Sequence, residues 1–214
     1  MASATLFALF LFSALTFYPP STTAQPVTDG DGNIVKNGGI FYILPSGLGA
    51  PGGGIRALQT DNESIPLSVV QSPFKGDNGL PIIISSPIRT EFLPEGQVTL
   101  SFEHTNREWT VVEGLPEGTL VKVQGYPHTV SGSFFIKKAK AETNTYKLLF
   151  CEEGVFCGNV RVVRNGNWVL AVTQDEPYEF YLKRVPPTSA DAWTIEYFLV
   201  KTICFGCNKL MHGK

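Results

Sequence analysis

Ile82-Ile83-Ile84-Ser85-Ser86-Pro87-Ile88-Arg89-Thr90-Glu91-Phe92-Leu93-Pro94-Glu95-Gly96-Gln97-Val98-Thr99-Leu100-Ser101-Phe102 is the stretch from which the fold can be read. An apolar run opens it, and Val98, Leu100 and Phe102 alternate with polar residues at its end, the period-two pattern of a half-buried strand. Between the two lies a loop with one cationic side chain and a proline toward either end. Proline fixes its own φ and biases the residue before it toward extended geometry, so Pro87 and Pro94 restrict what lies between them. The stretch is therefore strand, stiff loop, strand.

The same alternation recurs outward in both directions. Strands are expected near Ile40 and Ile55, and over 67–71, 80–85, 98–103, 109–112, 120–124, 133–137, 146–151, 159–163, 167–172, 179–184 and 193–199, about thirteen in all. Turn pairs such as Asn78-Gly79 and Asn165-Gly166 separate them, and no segment keeps a helical period. Strong apolar openings at Ile40–Tyr42, Val98–Phe102 and Tyr146–Phe150 recur roughly every 50 to 60 residues, which points to a unit used three times. Three four-stranded units account for twelve strands, and a closed barrel with a hairpin cap leaves no open sheet edge. The fold class is all-β.

The 214-residue chain has a formal charge of −2, which gives no reason to expect nucleic acid as a partner. Leu6 to Phe17 form an apolar stretch ending in small residues by Ala24, the layout of a secretory signal, so 1–24 is expected to be a leader. About 12 apolar residues are too few to span a bilayer of roughly 30 Å, so no membrane anchor is expected. The remainder divides into a β domain over 25–200 and a tail over 201–214.

Several motifs match by letter only. Asp29-Gly30-Asp31-Gly32-Asn33 begins like a calcium loop, but Ile34 stands where glycine is needed and Ile40 where an acid is needed, so a solvated turn is expected. Gly47-Leu48-Gly49-Ala50-Pro51-Gly52 has the spacing of a dinucleotide loop, yet Pro51 and Gly52-Gly53-Gly54 start no helix to receive a pyrophosphate. His104, His128 and His212 sit in loop-like surroundings with no nucleophile or metal-binding motif, so catalysis, a cofactor and a metal are not expected. Asn62-Glu63-Ser64 is a glycan acceptor sequence that, if used, places Asn62 on the surface. The four cysteines allow three pairings.

Val27-x-Asp29-x-Asp31-Gly32-Asn33-x-Val35-x-Asn37-Gly38-Gly39-x-Phe41-Tyr42-Ile43 resembles the N-terminal signature of the Kunitz-type soybean trypsin inhibitor family. So do Asn62-Glu63-Ser64-Ile65-Pro66-Leu67, Asp77-Asn78-Gly79-Leu80-Pro81, Trp109-Thr110-Val111-Val112 and Tyr146-Lys147-Leu148-Leu149-Phe150-Cys151, in the family's order over about 27–200. The resemblance implies a β-trefoil. It also implies a reactive loop over Ser86, Pro87, Ile88, Arg89, Thr90, Glu91 and Phe92, with Arg89 entering a protease's specificity pocket and Arg89–Thr90 as the bond offered. Asn37 matches the asparagine that braces the loop's carbonyls. An arginine suits a pocket floored by a carboxylate, because its planar guanidinium pairs bidentately. A loop already held in its bound shape avoids the ordering cost of a flexible substrate. The expected partner is a trypsin-like serine protease, and the expected state is a secreted monomer, outside the cell or in a vacuole.

The chain departs from the family in three places. Ile65 stands where the family's first bridge has a cysteine, and 104–108 hold none, so that bridge is absent. Phe41 replaces a tyrosine. Thr90 and Glu91 follow the arginine where some relatives carry an aliphatic and a basic residue, and Glu91 changes the charge a protease meets. Cys151 and Cys157 match the family's second bridge, worth roughly 2.4 kcal/mol in the chain-entropy model. Cys204 and Cys207 fall in the tail, where a local disulfide is expected and bridging between chains is the alternative. The rival function is a non-inhibitory binding or storage protein of the miraculin type, or an inhibitor of another protease class, since fold alone does not determine function.

Overall fold

The computed structural model describes residues 25–47, 49–60, 63, 68–115, 118–153 and 157–186. Among them the first unit supplies β1 (Gly39–Pro45), β2 (Ile55–Leu58), β3 (Ser68–Gln71) and β4 (Ile82–Ser85). The second supplies β5 (Gly96–Phe102), β6 (Trp109–Leu115), β7 (Gly118–Val123), β8 (Thr129–Val130) and β9 (Gly132–Lys138). The third supplies β10 (Tyr146–Glu152), β11 (Cys157–Asn165), β12 (Asn167–Thr173) and β13 (Phe180–Arg184).

The outer strands of each unit close a six-stranded antiparallel barrel. Its order is β1, β4, β5, β9, β10, β13 and back to β1, with closure through Tyr146 opposite Phe180. The inner strands form three hairpins, β2–β3, β6–β7 and β11–β12, joined to one another at Val70–Val169, Ser68–Lys122 and Ala171–Leu120. This is the β-trefoil, and the threefold spacing of apolar openings corresponds to the starts of β1, β5 and β10.

Alternation sets which way each barrel strand faces. Val98, Leu100 and Phe102 of β5, Phe134 and Ile136 of β9, and Tyr146, Leu148 and Phe150 of β10 are buried in one core. Ile82 and Ile84 point inward too, while Ile83 faces out beside Ile40. The rings of Phe102, Trp109, Phe134 and Phe150 pack in sequence at centroid separations of 5.6, 6.5 and 5.1 Å. Each buried side chain of this size contributes about 1.5–3 kcal/mol through water removal.

The structure adds to the sequence expectations at three places. The two-residue β8 follows His128, whose φ of 59° turns the chain, and two residues are too few to show a period. The segment 193–199, expected as a strand, lies outside the described residues. Gly52-Gly53-Gly54 is loop, and glycine is needed because a Cβ at Gly54 would meet the Asn78 carbonyl oxygen at 1.9 Å. The solvated turn expected at 29–33 is present and exposed over 30–33, but Asp29 at its start is only 1% exposed. Its carboxylate accepts the N–H groups of Asp31 and Asn33 and the Nε–H of Arg184 on β13, at 3.1, 2.8 and 2.7 Å. Burial opposes its charge, yet the Asn33 N–H, the Arg184 guanidinium and the Asn33 side chain together hold it below the usual carboxylate range. The turn is thereby pinned to β13, which fixes the segment leading to Asn37.

Candidate functional site

The loop between β4 and β5 is exposed from Pro87 through Phe92. Its end is sewn to the N-terminal segment. The N–H of Val27 donates to the Leu93 carbonyl at 2.8 Å, Leu93 N–H to Val35 at 2.9 Å and Glu95 N–H to Gln25 at 2.9 Å. Lys36–Phe92 and Pro26–Pro94 make antiparallel bridges on either side of fully buried Leu93. The loop therefore leaves the barrel at Ser85 and is recaptured at Leu93, with the residues between them facing solvent.

Asn37 stands beneath this span. It occupies a turn closed by Gly39 N–H on the Lys36 carbonyl at 3.0 Å, with Gly38 at φ +74°, a value that favours glycine. The side chain spans the loop. Its Oδ1 accepts the Ser86 N–H at 2.7 Å, and its Nδ2 donates to the carbonyls of Ile88 and Thr90 at 3.1 and 3.2 Å. Its own N–H donates to the Glu91 carbonyl at 2.9 Å. One residue of the scaffold thus holds backbone groups before and after Arg89–Thr90. Within the loop, Thr90 N–H donates to the Ile88 carbonyl at 2.9 Å and the Thr90 hydroxyl to the Phe92 carbonyl at 2.8 Å. The Ser86 hydroxyl accepts the Ile88 N–H at 3.3 Å.

Arg89 is exposed and takes part in none of the ion pairs among the described residues. Ile88 and Phe92 flank it at 55% and 45% exposure, an apolar border that water leaves when a partner docks. Two open clefts of about 480 and 430 Å³ meet at Tyr181 and Lys183, around the end of β1 away from the loop. They are lined by Gly30, Asp31, Gly47, Gly49, Gly52 and Gly53 of the two glycine-rich stretches, and by neither Asn37 nor any residue of 86–92.

Cys151 and Cys157 form a disulfide across β10 and β11. Asn62, Cys204, Cys207 and the leader lie outside the described residues. One cluster escaped the sequence reading. Glu63 accepts hydrogen bonds from Lys122 Nζ at 2.7 Å, Ser68 Oγ at 2.9 Å and Thr60 N–H at 3.0 Å. The side chains of Lys122 and Glu63 are 3% and 2% exposed. The available signal was a lysine inside the apolar run Leu120-Val121-Lys122-Val123.

A closed barrel under three joined hairpins, with a display loop tied back by a single asparagine, defines this molecule as a β-trefoil carrying a scaffold-braced loop. Residues 27–184 match the legume Kunitz family model, described as trypsin and protease inhibitor, and the chain belongs to that family. It is 41% identical over 191 residues to trypsin inhibitor A of Glycine max, covering 81% of this chain and 88% of that protein. Trypsin inhibitor DE-3 of Erythrina variegata is 36% identical over 166 residues, covering 73% and 96%. Soybean trypsin inhibitor, in its complex with porcine pancreatic trypsin, superimposes with a TM-score of 0.69 at 37% identity, over 76% of this chain and all of that one.

Proposed function

We propose that this protein is a secreted inhibitor of trypsin-like serine proteases that places Arg89 in the specificity pocket and offers Arg89–Thr90 as an unproductive substrate. The observation that carries this reading is the set of Asn37 hydrogen bonds on both sides of that bond. A protease that attacks it meets a backbone already in place, and after cleavage the scaffold keeps both ends together so that the bond re-forms. Pre-ordering also removes much of the entropy cost that an ordinary peptide incurs on binding. The matched relatives are named as trypsin inhibitors, and one was solved bound to trypsin. Residues 1–24 serve as the leader, and the mature protein meets its target outside the cell or in a vacuole.

Titration of trypsin against the protein tests the reading: activity should fall linearly to zero at one equivalent. Full activity at a tenfold excess would return the protein to the binding or storage class. Asn37→Ala is a second measurement. It removes three side-chain hydrogen bonds, each worth about 1 kcal/mol net, so the inhibition constant should rise roughly 150-fold. Electrophoresis after prolonged incubation should show fragments cut at Arg89–Thr90 accumulating faster than in the native protein.

A further inference from the structure

We propose that Glu91 selects among proteases that all accept Arg89, favouring those whose rim on the leaving-group side of the cleft is basic. The inference rests on the inhibitory loop described above. With Arg89 in a pocket, Thr90 and Glu91 lie past the cut, and their backbone is fixed there. The Thr90 carbonyl is held by Asn37 Nδ2 at 3.2 Å and the Glu91 carbonyl by Asn37 N–H at 2.9 Å. The Thr90 hydroxyl closes onto the Phe92 carbonyl at 2.8 Å.

Glu91 is exposed and joins none of the ion pairs among the described residues. Arg89 is withdrawn into the protease on binding. Lys36, brought close by its bridge to Phe92, joins none of the ion pairs among the described residues. What remains on the leaving-group side is a carboxylate on a backbone that cannot swing aside. Fixed charge at an interface steers approach and penalises like-charged partners more than it strengthens binding to neutral ones.

The test uses one trypsin in two forms, with lysine or with glutamate at the rim position facing the second residue past the cut. Dissociation constants are measured for the native inhibitor, Glu91→Lys and Glu176→Lys. Glu176 is exposed and precedes β13, whose Phe180 pairs with the far end of β1 from the loop, so its reversal repeats the change in net charge at a distance. The native protein should bind the lysine form at least about tenfold more tightly than the glutamate form. Glu91→Lys should invert that preference, and Glu176→Lys should move it by less than about twofold. An equal shift from both variants, or no shift from Glu91→Lys, overturns the assignment of Glu91 while leaving the inhibitory loop in place. A native protein that inhibits neither form removes both.

Discussion

Replacing Arg89 with alanine should weaken trypsin inhibition by at least about 4 kcal/mol, roughly a thousandfold in the inhibition constant. The size of the effect follows from where the side chain is and what it leaves behind. In the free protein Arg89 is exposed and forms no ion pair among the described residues, so the fold does not depend on its guanidinium. In the complex proposed above the same group would enter a pocket and pair bidentately with a buried carboxylate, which the alanine variant would leave unpaired. Surface changes of this kind shift stability by no more than about 0.5 kcal/mol, so circular dichroism and the urea midpoint should match the native protein. Arg89→Lys keeps the charge but loses the planar fork, and should lie between native and alanine. Inhibition by Arg89→Ala equal to that of the native protein would move the reactive bond elsewhere on the surface.

The barrel strands were the legible part of this chain. A strand buried on one face records its orientation in every second residue, and Val98, Leu100 and Phe102 show it without help from distant partners. Features that depend on closure left little local trace. Asp29 looks like any acid in a Gly-rich turn, because the arginine that buries it comes 155 residues later. Glu63 sits inside a glycan acceptor sequence, a surface signal, yet it is buried against a lysine 59 residues away. Asn37 was found through family resemblance rather than pattern. Its local sequence gives only a turn, and its span of 49 to 53 residues to the loop exists only once β1 lies beside β4. The glycines at 52–54 could be read as excluding a helix, but the reason for three of them lies in distant residues: Ser72 and Trp168 crowd Gly52, and the backbone of 77–79 presses against Gly53 and Gly54.

Lys122→Ala should cost about 3–5 kcal/mol of folding stability at neutral pH, a large share of the roughly 5–15 kcal/mol available to a domain. The Glu63–Lys122 pair ties Glu63, in the connection that follows β2, to β7 of the cap. Removing the lysine takes from this buried carboxylate the ammonium that pairs with it at 2.7 Å. The double variant Glu63→Gln with Lys122→Met removes both charges and should be much closer to native, since a buried pair replaced as a unit is often nearly neutral. The sign of the pH dependence follows from the same contacts. Burial opposes the Glu63 charge, but the Lys122 ammonium, the Thr60 N–H and the Ser68 hydroxyl outweigh it and hold the carboxyl below its ordinary value. Its stabilisation is therefore complete above the unfolded value of about 4.3 and is lost as pH falls through the lower folded value. Urea midpoints measured from pH 7 downward should fall more steeply in the acid range for the native protein than for the double variant. Trypsin inhibition by the double variant should be unchanged at neutral pH, because the pair lies in the cap rather than in the loop. A loss below about 1 kcal/mol for Lys122→Ala would show that the segment is held by its packing and not by this pair.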